Sequence, residues 1–144
     1  MKQEDKDLLL KDLCSRLPYG VKIDNMGKPS ILTSINNKYH IIVETDKVEK
    51  NPSFNLIGLD VLKIEDAKPY LIPLSKMTEE RRKEYESLCI KETSECTDLY
   101  GIIFTKDYYY DTIESIDYLY KNHIDNRGLI PKGLALDATG KNIY

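Results

Sequence analysis

The sequence predicts an α+β protein in which an N-terminal helix precedes a small bent antiparallel sheet and an α-rich C-terminal part. Two observations carry this prediction. Short apolar runs with strand-like spacing fill the segment from Val21 to Ile64, whereas helical spacing takes over after Thr78. At 144 residues the chain has the usual size of one domain. We therefore expect residues 1–74, the helix and sheet, to pack with the helical residues 75–144 as one compact unit.

Leucines at helical spacing predict the first helix, from about Glu4 to Arg16. The apolar stripe consists of Leu8, Leu9, Leu13 and Leu17. Charged residues are expected on the opposite, solvent-facing side, namely Lys6, Asp7, Lys11 and Asp12. Pro18 ends this helix because a proline inside a helix removes a backbone hydrogen bond.

Alternating apolar residues then predict a series of short strands. Val21 to Asp24 forms the first, which turns at Asn25-Met26-Gly27. The next two strands, Ile31–Ile35 and Tyr39–Val43, flank a turn at Asn36-Asn37-Lys38. An exposed loop is expected from Thr45 to Ser53, with further strands at Phe54–Ile57 and Leu59–Ile64. Strands so closely spaced favour a strongly bent sheet, which would be an SH3-like barrel if it closed.

Two prolines mark the boundary between the strand-rich and helical parts. Pro69 and Pro73 bracket Tyr70-Leu71-Ile72. Because proline lacks the N–H that a sheet requires, this segment is predicted to be an extended rigid connector and not a central strand.

Helix signals follow the connector. Thr78 is expected to cap a helix from Glu79 to about Ile90, with acidic residues in its first turn. The polar segment Lys91–Asp98 indicates no regular element, and Tyr100–Thr105 is apolar enough for a strand. Asp111 or Thr112 is expected to cap a third helix; with Asp111 as the cap, Glu114 completes a capping-box pattern.

The end of the chain is predicted to act as a clasp. The third helix has an apolar face of Ile113, Ile116, Leu119, Tyr120 and Ile124. An irregular tail is expected to cover Ile116, Leu119 and Tyr120 with its own apolar residues, Leu129, Ile130 and Leu134. Without such packing, the tail would leave a large apolar patch exposed.

Composition excludes several classes of protein. Lys and Arg number 21 against 24 Asp and Glu, and this net charge of −3 gives no long-range attraction to nucleic acid. No apolar run has the length of a membrane span, and the N-terminus lacks a secretion signal, so we expect no membrane association and a cytoplasmic location. The three cysteines, Cys14, Cys89 and Cys96, are expected to be free thiols, although Cys89 and Cys96 could pair across a loop.

Three stretches carry a resemblance to a known family. They are Leu17-Pro18-Tyr19-Gly20-Val21, the segment from Lys68 to Glu80, and the segment from Ile116 to Leu136 that contains His123-Ile124-Asp125-Asn126-Arg127-Gly128. In order and spacing they resemble uncharacterised small proteins of phages, prophages and mobile elements of gut Bacteroidetes. The resemblance implies an accessory protein of such an element, and it implies no cofactor, metal or catalytic residue.

Five residues are candidates for an interaction surface. Tyr70 and Tyr118 are placed at the rim where the connector meets the clasp, although the simpler interpretation is that both are core tyrosines. Arg81 and Arg82 could contact phosphates, and Tyr109, within Tyr108-Tyr109-Tyr110, could stack on bases. The alternatives are a solvated helix face and a loop that covers the core. His123 is expected to interact favourably with the end of the third helix.

No residue pattern in the sequence matches a catalytic motif or a metal-binding motif. We therefore expect a non-enzymatic interaction module that binds a protein. The alternative is a nucleic-acid-binding small barrel, and a small hydrolase ranks third.

Overall fold

The computed structural model describes residues 1–36, 39–45 and 58–144. The helices in these ranges are α1 (Gln3–Arg16), α2 (Glu79–Leu88) and α3 (Ile113–Lys121). The strands are β1 (Lys22–Asn25), β2 (Lys28–Asn36), β3 (His40–Thr45), β4 (Gly58–Lys63), β5 (Tyr70–Pro73), β6 (Ile90–Thr97), β7 (Ile103–Tyr110), β8 (Ile124–Asp125) and β9 (Leu136–Asp137). The predicted α+β class, with its N-terminal helix and bent antiparallel sheet, is confirmed.

Some sequence predictions lie outside the described residues. They are the turn at Asn37-Lys38, the part of the predicted loop from residue 46 to 53, and the strand Phe54–Ile57.

The first sheet has the antiparallel order β1-β2-β3-β4. Its first hairpin turns at Met26 and Gly27, whose φ angles of 52° and 82° are both positive, as in the turns that match the twist of a hairpin. The sheet bends so strongly that its two edge strands approach each other: Asn25 Nδ2 on β1 donates to Asp60 Oδ2 on β4 at 2.7 Å. In the described residues β1 and β4 share no backbone pairing, so the sheet stays open and the SH3-like barrel is not formed.

The connector between the two prolines is itself a central strand, which corrects the prediction. β5 lies between β8 and β9 in a small parallel sheet. The missing proline N–H groups do not prevent pairing, because the strand pairs through the N–H of Ile72 and the carbonyls of Pro69 and Leu71. Ile72 N–H donates to the His123 carbonyl at 2.9 Å, and the Pro69 and Leu71 carbonyls accept from Leu136 and Ala138 at 2.8 Å each. β5 thus joins the N-terminal sheet to the C-terminal tail.

The main core lies between α1, the four-stranded sheet and the tail. Its fully buried side chains include Leu9 and Leu13 of α1, Ile23 and Ile41 of the sheet, and Leu129 of the tail. Leu134 also belongs to this core, whereas Leu119 lies in a smaller cluster with Met77 and Ile124. Leu119 and Tyr120 are buried, as predicted, but Leu129 and Leu134 pack against α1 and the sheet, so the prediction that they cover α3 is wrong.

The capping predictions for α2 and α3 are largely confirmed. Thr78 Oγ1 accepts from the Arg81 N–H at 3.3 Å. At α3 the cap is Thr112, which forms a capping box with Ser115, so the alternative with Asp111 and Glu114 is wrong. Ile113, predicted on the buried face, is 84% exposed because it lies on the outer side of the first turn of α3.

The C-terminal part is less helical than predicted. β6 and β7 pair along their whole length as an antiparallel ribbon, which joins no other sheet of the described residues. The polar segment Lys91–Asp98 thus forms most of a strand, and Tyr108-Tyr109-Tyr110 end the second strand and do not form a loop over the core. This ribbon lies between α2 and α3 in the chain.

Candidate functional site

The five residues proposed from the sequence do not form one surface. Tyr70 lies in β5, Tyr118 on α3, Arg81 and Arg82 on α2, and Tyr109 on β7. Only Arg82 and Tyr109 among them are exposed, whereas Tyr118 and Arg81 are half-buried.

Tyr70 is a core residue and not part of a rim. Only 6% of it is exposed, and its hydroxyl donates to Asp24 Oδ1 at 2.8 Å. Burial and this hydrogen bond to a carboxylate raise the pKa of Tyr70 to about 12. The simpler interpretation, a core tyrosine, is therefore confirmed for Tyr70.

Tyr118 holds the two C-terminal helices together. Its hydroxyl donates to Glu84 Oε2 of α2 at 2.6 Å, and the Tyr85 hydroxyl of α2 makes the reciprocal contact to Asp111, just before α3. Burial and the hydrogen bond to Glu84 raise the pKa of Tyr118 to about 12. The ribbon of β6 and β7 begins after α2 and ends before α3, so these two hydrogen bonds between the helices hold the base of the ribbon in place.

The basic residues of α2 do not form a phosphate-binding patch with the tyrosines. Four glutamates share the helix with Arg81, Arg82 and Lys83, and Lys83 Nζ lies 3.8 Å from Glu79 Oε1. Side chains alternate across a strand, so Tyr108 and Tyr110 point to one side of the ribbon and Tyr109 to the other. The three consecutive rings therefore cannot act as one stacking platform.

The ribbon has two chemically different faces, which its register defines. Opposed residues share a face, so Ile90 pairs with Tyr110 and Cys96 with Phe104 on the same side. The residues of this side, named here the apolar face, are Ile90, Glu92, Ser94, Cys96, Phe104, Lys106, Tyr108 and Tyr110. The residues of the other side, named the polar face, are Lys91, Thr93, Glu95, Thr97, Ile103, Thr105, Asp107 and Tyr109.

The polar face contains one ion pair, between Lys91 and Asp107. Lys91 Nζ lies 2.9 Å from Asp107 Oδ2, and Thr93 Oγ1 donates to Asp107 Oδ1 at 2.8 Å. These contacts lower the pKa of Asp107 and raise that of Lys91. The apolar face leaves Phe104 45% and Tyr110 51% exposed, and Ile103 and Tyr109 of the polar face are exposed as well. An amphipathic ribbon therefore presents its apolar side to solvent.

The tip of the ribbon is ordered and also apolar. Asp98 Oδ1 accepts from the N–H groups of Tyr100 and Ile102 at 2.9 Å each, and Gly101 takes a positive φ of 78°. These bonds hold Leu99 and Tyr100 outward, and Leu99 is fully exposed. The turn signature Asp98-x-x-Gly101 was the signal from which a hairpin could have been predicted.

A buried polar cluster connects α1 to the tail. Arg16 is fully buried; its Nε donates to Asp12 Oδ2 at 2.7 Å and its Nη2 donates to the Ile124 carbonyl at 2.7 Å. Arg127 reaches the same aspartate, with its Nε 3.7 Å from Asp12 Oδ1. The sequence placed Asp12 on the solvent side of α1, and this is wrong because Arg16 neutralises it inside the core. The cluster acts as a structural link.

His123 is held neutral and does not interact with the end of α3 as a cation. Its ring stacks on Tyr144 with centroids 3.7 Å apart, and burial, together with the positive charge of Arg16, lowers its pKa to about 4. Its Nδ1 has no hydrogen-bond partner in the part of the chain that the structure describes. The prediction of a favourable interaction between a charged His123 and the end of α3 is therefore wrong.

One enclosed hollow lies at an end of the four-stranded sheet. It has a volume of about 160 Å³ and is lined by Asn25, Lys28, Ser30, Thr45 and Asp60, among others. Asn25 and Asp60 hydrogen-bond each other across it, and Lys28 is the cationic group among its described lining residues.

The cysteines and other metal-binding residues are dispersed. Cys14, Cys89 and Cys96 are free thiols, and since Ile90–Thr97 is a strand, Cys89 at the base of the ribbon cannot reach Cys96 near its tip. The described ranges hold no group of three or more His, Cys, Asp or Glu side chains placed to bind a metal. They also hold no helix of the length and apolar character that a membrane crossing needs.

Comparisons with protein-family models, with curated proteins and with solved structures give no match to this chain. The ribbon itself therefore carries the functional argument.

Proposed function

We propose that this protein is a non-enzymatic interaction module that binds another protein through the apolar face of its β6–β7 ribbon. The observation that carries the proposal is the exposure of Phe104, Tyr108 and Tyr110 on one side of a ribbon whose other side carries the Lys91–Asp107 ion pair. A two-stranded ribbon is marginally stable alone, and covering its apolar face with a partner would stabilise it. Aromatic residues such as Phe104, Tyr108 and Tyr110 are enriched at protein interfaces.

The charge of the ribbon favours a protein partner over nucleic acid. Between residues 90 and 110 there are two lysines, Lys91 and Lys106, against four carboxylates, Glu92, Glu95, Asp98 and Asp107. Binding to phosphates depends on an excess of positive charge, which this ribbon lacks. Binding of nucleic acid through Arg81, Arg82 and Tyr109 has the further difficulty that these side chains lie on separate elements.

The biological setting rests on the sequence resemblance. An accessory protein of a phage or mobile element that acts in the cytoplasm fits a small module without a catalytic constellation. The partner in this setting is a protein of the host or of the element.

Photo-crosslinking from adjacent residues on opposite faces tests the proposal. A photoreactive phenylalanine analogue is placed at Tyr108 on the apolar face, and in a second variant at Tyr109 on the polar face, in cells that express the full chain. We expect nuclease-resistant crosslinks to protein from position 108 and at least fivefold fewer from position 109.

Positions 108 and 109 are adjacent in the strand and lie on opposite faces, so a difference in crosslinking between them identifies the face that binds the partner. Equal crosslinking from both positions, or none from position 108, would contradict the proposal. Products from position 108 that disappear on nuclease treatment would favour nucleic-acid binding.

A further inference from the structure

We infer that the partner of the apolar face is a second copy of this chain, with two ribbons packed face to face and antiparallel about a two-fold axis. The inference rests on the proposed function, because it names the partner of the same surface. It follows from the order of residues along the apolar face and from the charges that this face leaves unpaired.

The apolar face consists of four opposed pairs in sequence from base to tip. They are Ile90–Tyr110, Glu92–Tyr108, Ser94–Lys106 and Cys96–Phe104. A two-fold axis that lies in the interface plane, perpendicular to the strands, places the first pair over the fourth pair of the second copy, and the second pair over the third. Apolar ends then meet apolar ends, so Phe104 and Cys96 cover Ile90 and Tyr110 in both directions.

The same operation brings opposite charges together at the centre. Glu92 of each copy comes beside Lys106 of the other, and the two contacts are equivalent by symmetry. In the described part of the chain neither residue forms an ion pair, and Lys106 Nζ lies 5.2 Å from the centroid of the Tyr108 ring. On the polar face, by contrast, Lys91 and Asp107 neutralise each other within the ribbon. The order of apolar and charged residues on the apolar face is therefore self-complementary.

The size of the face sets the expected strength. Each strand has eight residues, which gives a length of about 27 Å, and two strands are about 10 Å wide. Such a face covers well below the ~800 Å² per partner of a standard interface, even with the tip residues added. We therefore expect a reversible dimer with a dissociation constant in the micromolar range, roughly 1–100 μM.

Sedimentation equilibrium of the purified full chain from about 1 to 500 μM, with charge-reversal variants, tests the inference. Glu92→Lys and Lys106→Glu should each weaken dimerisation at least tenfold, because each reversal places two like-charge contacts at the centre. The double variant should return the dissociation constant to within about threefold of the parent. Glu95→Lys, the same change on the polar face, is the control and should leave dimerisation unaltered.

Several results would overturn the inference. They are a parent chain that is monomeric at 500 μM, single reversals without effect, a double variant that does not recover, or a control as damaging as Glu92→Lys. Far-ultraviolet circular dichroism checks that each variant is folded. We expect all of them to fold, because the substituted side chains lie outside the core. If the chain is monomeric while position 108 still crosslinks to a different protein, this inference fails and the proposed function stands.

Discussion

Replacing Asp12 by asparagine should destabilise the protein far more than its change of one atom suggests. Asp12 and Arg16 are both fully buried, and Arg127 lies within 3.7 Å of the same carboxylate. Asp12→Asn leaves the Arg16 guanidinium in the core without its counter-charge and beside a second cation. Breaking a buried ion pair in this way costs about 3–5 kcal/mol of the free energy of unfolding.

Urea denaturation followed by circular dichroism measures this loss. With a denaturant slope of about 2 kcal/mol per molar, the midpoint should fall by roughly 2 M. The matched control is Glu79→Gln, which breaks the exposed pair with Lys83, where both side chains are 73% exposed. Because solvent screens this pair, the control should change the free energy of unfolding by less than about 0.5 kcal/mol.

A double variant separates the charge from the packing. Asp12→Leu combined with Arg16→Met removes both charges together, so the main remaining penalty is the Ile124 carbonyl that loses its donor, about 1–3 kcal/mol. The double variant should therefore be more stable than Asp12→Asn alone. The reasoning is refuted if Asp12→Asn shifts the midpoint no more than Glu79→Gln, or if the double variant is the less stable of the two.

Three further predictions concern the fold. Leu129→Ala should cost about 2–5 kcal/mol of unfolding free energy because it leaves a cavity in the main core, whereas Ile113→Ala, at an 84% exposed position, should cost less than about 0.5 kcal/mol; equal urea midpoints would contradict the core assignment. Met26→Asn should raise the melting temperature, with a gain of about 0.5–1 kcal/mol, because asparagine tolerates the positive φ of 52° better than methionine; a lower melting temperature would count against this turn geometry. The folded-state pKa of His123 is about 4, below its ordinary value of 6.5, so the unfolded chain takes up the proton first as pH falls. The free energy of unfolding should therefore fall by about 2 kcal/mol, after allowance for solvent screening, as pH drops from 6.5 towards 4. His123→Asn should remove this part of the pH dependence of the urea midpoint, and an unchanged pH profile would refute the prediction.

The parts of the fold that local patterns encode could be predicted from the sequence. Leucine spacing gave α1, alternation gave β1 to β3, and Thr78 gave the start of α2. The parallel pairs of β5 with β8 and β9 could not be predicted, because strands of two residues have no period and their partners are about 50 to 65 residues away. The burial of Asp12 was not predicted, because a charged residue is assigned to the surface unless a partner for its charge is known. The partner is Arg16, one turn later in α1.

The candidate surface was harder to predict than the fold. Segment Ile90–Thr97 has five charged or hydroxyl residues between Ile90 and Cys96, so it gives no strand signal until it is aligned with Ile103–Tyr110. Of the five residues proposed from the sequence, only Tyr109 lies on the ribbon, and it lies on the polar face. The candidate surface depends on the pairing of two strands, which composition does not reveal.

Thiol footprinting of neighbouring positions on opposite faces tests the central claim most directly. Cys96 lies on the apolar face, and Thr97→Cys places a second thiol on the polar face of the same strand. Labelling with a small maleimide, read out by peptide mass spectrometry, compares cells that express the full chain with the dilute purified protein. We predict that Cys96 reacts at least tenfold more slowly in cells while position 97 reacts equally in both; equal rates for Cys96 in the two settings would contradict the account.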